Sequence, residues 1–234
     1  MIRQLAQSQQ LAEARHLCET LLKQNSKDSE ALHLMGLIEL TEGKLEASAT
    51  YIRQAITYND QIIQYHCNLG EALRRAGDYS QAINSFQHAL SLKPDYTLAR
   101  YNIGCTLFAQ REFKQAFNEL RKALKKSPND AKIMTACADA LRELGKVKEA
   151  VAMYQRVLEL KPDYAPAHAN LGPLLLMKGE TEKALTHCQR ALFKVQVELA
   201  KTLWDDGDAD EAVTCYRRAI ELRPQNAALH IYLS

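Results

Sequence analysis

Acid–base, nucleophilic or metal chemistry would have to come from His16, His33, His66, His88, His168, His187 and His230, or from Cys18, Cys67, Cys105, Cys137, Cys188 and Cys215. Zinc sites need thiolates and imidazoles at short spacings, and a secreted disulfide framework is dense in cysteine. Here no C-x-x-C pair occurs and the cysteines share no spacing with the histidines, so no metal and no cofactor is expected. Several cysteines stand among apolar residues at helical spacing and read as reduced packing thiols, with Cys105 and Cys137 the pair to inspect for proximity. G-x-G-x-x-G, G-x4-G-K-S/T, H-E-x-x-H and G-x-S-x-G are all absent. Glu/Lys pairs such as Glu180 with Lys183 read as solvated helix faces. The chain is expected not to be an enzyme. A different chemistry recurs: Asn68, Asn102 and Asn170 stand on one ladder of 34-residue steps, with Ala136 at the fourth place. One amide offers a donor and an acceptor, which suits it to a peptide backbone whatever the side chains.

The surrounding composition is that of a folded, near-neutral chain. Of 234 residues 47% are hydrophobic, and 30 Lys+Arg against 28 Asp+Glu leave +2, so no nucleic acid or anionic membrane is indicated as a partner. The purest apolar run, Pro173 to Met177, is far shorter than the roughly 18–20 residues of a bilayer span. Residues Met1 to Gln7 contain no apolar signal core, and a cytoplasmic protein is expected. Nine Gly and six Pro are too few for a turn-rich β protein.

The elements that must hold the asparagines are set by an internal repeat. Gly43, Gly77, Gly145 and Gly179 are 34, 68 and 34 residues apart, with Arg111 at the skipped place. Ala82, Ala116, Ala150 and Ala184 keep the same step, as do Gly36, Gly70, Gly104, Ala138 and Gly172, and Pro94, Pro128 and Pro162. Each unit reads as two helices. The first stops at a glycine that supplies a left-handed turn, as in Leu73-Arg74-Arg75-Ala76-Gly77-Asp78. The second begins near Tyr79, carries Ala82, Phe86 and Ala89 on one face, and stops before Pro94. The small first-helix residues are expected to face the Ala82 series, so that the two axes approach closely.

A 34-residue unit with L-G in the first helix and A-x3-F…A…P in the second resembles the tetratricopeptide repeat. Asn68-Leu69-Gly70, Gly77-Asp78-Tyr79, Ala82, Phe86, Ala89 and Pro94 carry the likeness, and Asn170-Leu171-Gly172 with Gly179 starts another unit. It extends over units 29–62, 63–96, 97–130, 131–164, a shortened 165–192, and 193–226, after a partial unit. The likeness implies an all-α fold, a right-handed α-solenoid of stacked helix–turn–helix repeats. The solenoid is expected over 1–192, and the last repeat plus the start of a further helix over 193–234. His66, His168 and His230 occupy equivalent places and read as packing residues standing in for an aromatic. Met134 likewise stands there, and Ser48 replaces an alanine.

In that family the first helices line a concave groove for extended peptides or a partner helix. The resemblance therefore implies a protein-interaction scaffold, with Asn68, Asn102, Asn170, Tyr101, Arg74 and Lys132 as candidate contacts. Family members that grip acidic C-termini set Lys and Asn, then Asn, then Lys and Arg on three successive first helices. Around Asn102 the corresponding places hold Cys67, Glu71, Lys132 and Ala136, so that clamp is not expected. Groove charges cancel: Arg74, Arg75, Lys132, Arg142, Lys194 and Lys201 against Glu30, Glu71, Asp139, Glu143, Glu198 and Asp205. With Tyr101, Phe108, Leu98 and Leu37 alongside, a neutral, partly apolar peptide fits better than a phosphate backbone. The asparagine ladder is similar to that of O-linked N-acetylglucosamine transferases, so the alternative is the substrate-recruiting part of a glycosyltransferase or sulfotransferase. A partial first unit and an end inside another point to a fragment of a longer protein or an end that a partner covers.

Two departures stand out in the fifth repeat. Gly179 to Gly207 and Ala184 to Ala212 are each 28 residues, so six residues, the proline-bearing turn, are missing. Leu185, Cys188, Leu192, Val195, Leu199 and Leu203 then alternate steps of three and four, a coiled-coil-like seam. One fused helix over 182–206 is expected, swinging the last repeat outward and offering apolar surface for a homodimer, with a tight turn near Phe193-Lys194 as the other solution. Trp204 reads as a contact anchor or as packing. Pro173 lies inside a first helix, where it predicts an irregular region.

Overall fold

The computed structural model describes residues 10–222, which contain twelve α-helices and no strand. In chain order they are α1 (Gln10–Gln24), α2 (Ser29–Thr41), α3 (Leu45–Tyr58), α4 (Ile63–Arg75), α5 (Tyr79–Leu92), α6 (Thr97–Ala109), α7 (Phe113–Lys126), α8 (Ala131–Glu143), α9 (Val147–Leu160), α10 (Ala165–Met177), α11 (Thr181–Asp206) and α12 (Ala209–Leu222). The protein is an all-α solenoid of helix pairs. His230 and the proline at 224 lie outside the described residues.

Local chemistry sets the ends. Asp28 opens α2 by accepting from the Glu30 and Ala31 amides at 3.1 and 3.0 Å, and Asp130 does the same for α8 from Lys132 and Ile133. First helices close on left-handed residues such as Gly77 at φ +84°. Arg111, at the place where the glycine is skipped, takes φ +64°. The fold thus keeps the turn without the residue suited to it.

The chain forms two compact units, Met1–Ser127 and Pro128–Ser234. In the first, α2 pairs with α3, α4 with α5 and α6 with α7, and α1, α3 and α5 each also pack on the following first helix. Its core runs through Ile52, Leu69, Leu73, Phe86 and Ile103. In the second, α8 pairs with α9, α9 packs on α10, and α10 and α12 both pack on α11. Leu141, Tyr154, Val157 and Leu171 are buried there, and Phe193, Val197 and Tyr216 make the cluster between α11 and α12.

The pairs close where the first helix has no side chain. A Cβ on Gly70 would stand 2.6 Å from the Phe86 ring, and one on Gly104 2.5 Å from Leu120. Gly36 meets Ile52 and Gly172 meets Cys188 in the same way. The second-helix backbone at the Ala82 place faces this position as expected, the carbonyls of Ser48, Ala116 and Ala184 lying 3.2–3.4 Å from such a Cβ; the side chain four residues further on then fills the remaining space. Ser48 leaves its buried hydroxyl oxygen without a hydrogen-bond partner among the described residues.

In the fifth repeat α11 runs for 26 residues without a stop at Phe193-Lys194, so the fused helix is present, about 39 Å long at 1.5 Å per residue. α10 continues through Pro173. Pro173 cannot donate to the Ala169 carbonyl, and Ala169 is solvent-exposed, so water can take that acceptor.

Restoring the repeat's own residues stabilises this chain. Arg111→Gly removes left-handed strain and Ser48→Ala removes an unpaired buried hydroxyl. Each is expected to raise stability by about 0.5–1 kcal/mol, read from the urea midpoint at unchanged m.

Candidate functional site

In the first unit the candidate face lies on α4 and α6, with α2 behind it. Adjacent first helices touch there, so a side chain on one can reach back to the one before. The half-buried Asn68 does so: its Nδ2 donates to His33 Nε2 at 2.8 Å. That makes His33 a neutral imidazole with its proton on Nδ1. The ring lies 4.4 Å from Tyr65, and burial lowers its pKa from 6.5 to about 4. Arg74 is held along its own helix by Glu71, two bonds of 2.9 and 2.7 Å. It also stands near Tyr101 and Cys105 on α6. The Asn102 amide is half-buried and makes no hydrogen bond among the described residues; only its backbone carbonyl is used, by Thr106 Oγ1 at 2.7 Å. Tyr101 is half-buried and Leu98 exposed beside it.

In the second unit Asn170 on α10 donates from Nδ2 to Asp139 Oδ1 on α8 at 2.7 Å. Asp139 also accepts from the hydroxyl of Tyr154, a fully buried ring on α9. Burial raises the Asp139 carboxyl above its ordinary range, while these two donors and Arg142 pull it back down. Lys132 is exposed at the start of α8, its backbone amide held by Asp130.

The ladder is therefore not uniform. Asn68 and Asn170 are committed to the preceding first helix, and Asn102 is open. His33, Asp139 and Tyr154 were missed as polar partners. The signal for the last two was a tyrosine at the Phe86 place in the one repeat that also carries Asp139. The expected charge balance resolves into local pairs, Arg74 with Glu71, Arg142 with Glu143 at 2.9 Å and Lys194 with Glu198 at 2.9 Å.

The histidines at repeat positions do packing work. His66 and His168 each bond a carbonyl of the preceding turn through Nε2, to Asp60 and Pro162, both at 2.8 Å. His66 stacks on His88, and His168 Nδ1 lies 2.7 Å from His187 Nδ1. No group of three or more metal-ligating side chains occurs among the described residues, nor a helix long and apolar enough to cross a membrane. Cys188 is exposed and Cys105 half-buried, while Cys18, Cys67, Cys137 and Cys215 are buried. A second concavity of about 570 Å³ opens between α5, α6 and α7, but its charged wall is self-paired, Arg100 to Glu119 at 3.5 Å and Lys122 to Glu119.

Helix pairs at this period, with an amide ladder on the first helices, define an interaction-repeat architecture. Tetratricopeptide repeat models match residues 1–61 and 67–131, and 193–226, and a TPR repeat model matches 138–179. The chain belongs to the tetratricopeptide repeat family. It is 28% identical over 164 residues to mouse (Mus musculus) Superkiller complex protein 3, covering 67% of this chain and 8% of that protein. It is 23% identical over 203 residues to human (Homo sapiens) Protein O-mannosyl-transferase TMTC3, covering 77% and 22%. The chain thus spans a small part of these relatives. Among solved structures, MamA from Desulfovibrio magneticus RS-1 aligns with TM-score 0.62 at 21% identity over 70% of this chain and 93% of MamA. YrrB, a TPR protein with an unusual peptide-binding site, aligns at 0.57 and 18% identity over 92% and 96%. At these identities the structural likenesses concern the fold.

Two measurements test the polar contacts. The unfolded chain protonates His33 near pH 6.5 and the folded chain only near pH 4, so stability is full above 6.5 and falls as the pH drops towards 4. The loss is on the order of 2–3 kcal/mol, read from urea midpoints, and its slope flattens in His33→Gln. Removing a donor favours the protonated acid, so Tyr154→Phe raises the Asp139 titration midpoint further, as followed by carboxyl NMR.

Proposed function

We propose that the chain is a non-catalytic protein-interaction scaffold that takes an extended peptide or partner helix on the first-helix face of α4 and α6. The observation that carries this reading is the open Asn102 amide, half-buried beside Tyr101 and the exposed Leu98. A half-buried amide with no internal partner gains a donor and an acceptor when a peptide main chain lies along it. Arg74 is already neutralised by Glu71, which disfavours an acidic terminus or a phosphate and favours a neutral, partly apolar segment. Asn68 supports the face from behind. Lys132 and Asn170 belong to the second unit, where Lys132 is the exposed charge for a ligand on α8 and α10. A second copy of the chain is a further proposed partner, through α11. A cytoplasmic location belongs to the same reading.

The other reading, a substrate-recruiting part of a larger modifying enzyme, is favoured by the likeness to Protein O-mannosyl-transferase TMTC3. The reading frame after Ser234 separates the two.

A displayed library of unstructured peptides supplies ligands for calorimetry. Asn102→Ala is expected to weaken a selected peptide about 2- to 10-fold, one net hydrogen bond to the main chain, without moving the urea midpoint. Asn68→Ala lowers stability instead. Equal affinity in Asn102→Ala sinks the proposed face.

A further inference from the structure

Four exposed apolar residues of α11, Leu185, Leu192, Val195 and Leu199, are the two sides of a contact that the earlier repeats close within themselves. Leu185 and Leu192 stand where Ile83 and Leu90 stand on α5. Those two are half-buried and pack on the cluster that contains Ala99 and Ile103 of the following first helix. Val195 and Leu199 stand, through the 28-residue step, where Ala167 and Leu171 stand on α10, and one repeat further back each, where Ile133 and Cys137, Ala99 and Ile103, and Tyr65 and Leu69 stand. Every one of those is buried. In α11 the four residues are 58%, 47%, 53% and 45% exposed, in the order Leu185, Leu192, Val195, Leu199.

The cause is the missing turn. With six residues gone, the second helix of the fifth repeat and the first helix of the sixth are one rod, and a rod cannot fold back on itself. The receiving pair and the inserting pair are left about 13 Å apart along one axis, within about 80° of each other around it. Each half keeps its other partner, α10 on one side and α12 on the other, so these four residues form one unmet stripe, apart from the exposed Trp204 further along the helix.

We propose that α11 is a self-association site whose occupant is a second copy of this chain. The copies lie antiparallel about a two-fold axis near Leu192, so that Leu185 and Leu192 of each receive Val195 and Leu199 of the other. The antiparallel sense follows from the closed contacts, where a second helix and the next first helix run in opposite directions. Both halves of the broken contact are then remade twice, and the interface is self-complementary as a two-fold requires. This rests on the reading of α11 as a partner surface and specifies its geometry; it does not depend on the α4–α6 face.

The test is the solution mass of the 234-residue chain by light scattering, from micromolar to submillimolar concentration. Twice the chain mass is expected, falling twofold in Leu185→Glu and in Leu199→Glu with helical circular dichroism unchanged, since both positions are exposed in the folded chain. Leu185→Lys and Leu199→Glu, each monomeric alone, are expected to dimerise when mixed, because only an antiparallel register sets position 185 against 199. A chain mass throughout the range overturns both the partner surface and its geometry. A dimer indifferent to the two Glu substitutions, or one that the mixed pair does not restore, overturns the geometry and leaves self-association standing.

Discussion

The structure depends on an absent methyl group. At Gly70 the backbone of α4 is bare, and the Phe86 ring of α5 occupies the space that a Cβ would need. A helical glycine costs about 1 kcal/mol against alanine, and here that cost is offset by a fully buried aromatic ring held against a neighbouring backbone. The same contact recurs with Ile52 at Gly36 and Leu120 at Gly104. Because it fixes which side of the first helix meets its partner, it also fixes which residues remain on the other side. Asn68, Asn102 and Asn170 each sit two residues before the small position, and all three are half-buried. The packing constraint and the asparagine ladder are one geometric fact.

What the sequence made legible follows from how local each cause is. Helix ends depend on residues within a turn of them, so Asp78, Gly77 and Pro94 placed the boundaries of the second repeat closely. Even Arg111 was locatable as a turn residue from the phase of its neighbours, and it takes the left-handed backbone that the phase demands. The partners of the asparagines were not legible in this way. Asn68 reaches back 35 residues to His33 and Asn170 reaches back 31 to Asp139, two different offsets for one ladder position. Neither acceptor recurs at the repeat step, so periodicity carries no information about them. Opposite the glycines, periodicity gave the Ala82 series, and the side chains four further on that fill the remaining space came only from three-dimensional packing.

The buried polar groups show the same division between repeated and particular. His66 and His168 satisfy the carbonyl of the preceding turn with one bond in the same geometry, which is a repeat device. Asp139 is particular to its repeat. A carboxylate at that depth is disfavoured by desolvation, and it is kept ionisable by two donors from two different helices. That places a hydrogen-bonded carboxyl inside the second unit, so α8, α9 and α10 are joined by polar as well as apolar contacts. Tyr154 serves both: its ring holds the Phe86 place in its repeat, fully buried, and its hydroxyl reaches Asp139.

The fused helix follows from what a turn requires. The turns between the other repeats carry either a proline, as at Pro94, Pro128 and Pro162, or a polar cluster that favours leaving the helix, as at Asn25-Ser26-Lys27-Asp28 and Asn59-Asp60-Gln61. Ala191-Leu192-Phe193-Lys194-Val195 offers neither, and helix continues there by default, since extending an existing helix adds a bond per residue while a new start must be nucleated. Phe193, Val197 and Ala200 still find their places against α12, so continuation leaves that half of the sixth repeat intact. What continuation gives up is the contact with the preceding repeat alone. Had that face become polar, α11 would be a solvated spacer. It remains leucine and valine, so the surface that the lost turn uncovered keeps the chemistry of an interior.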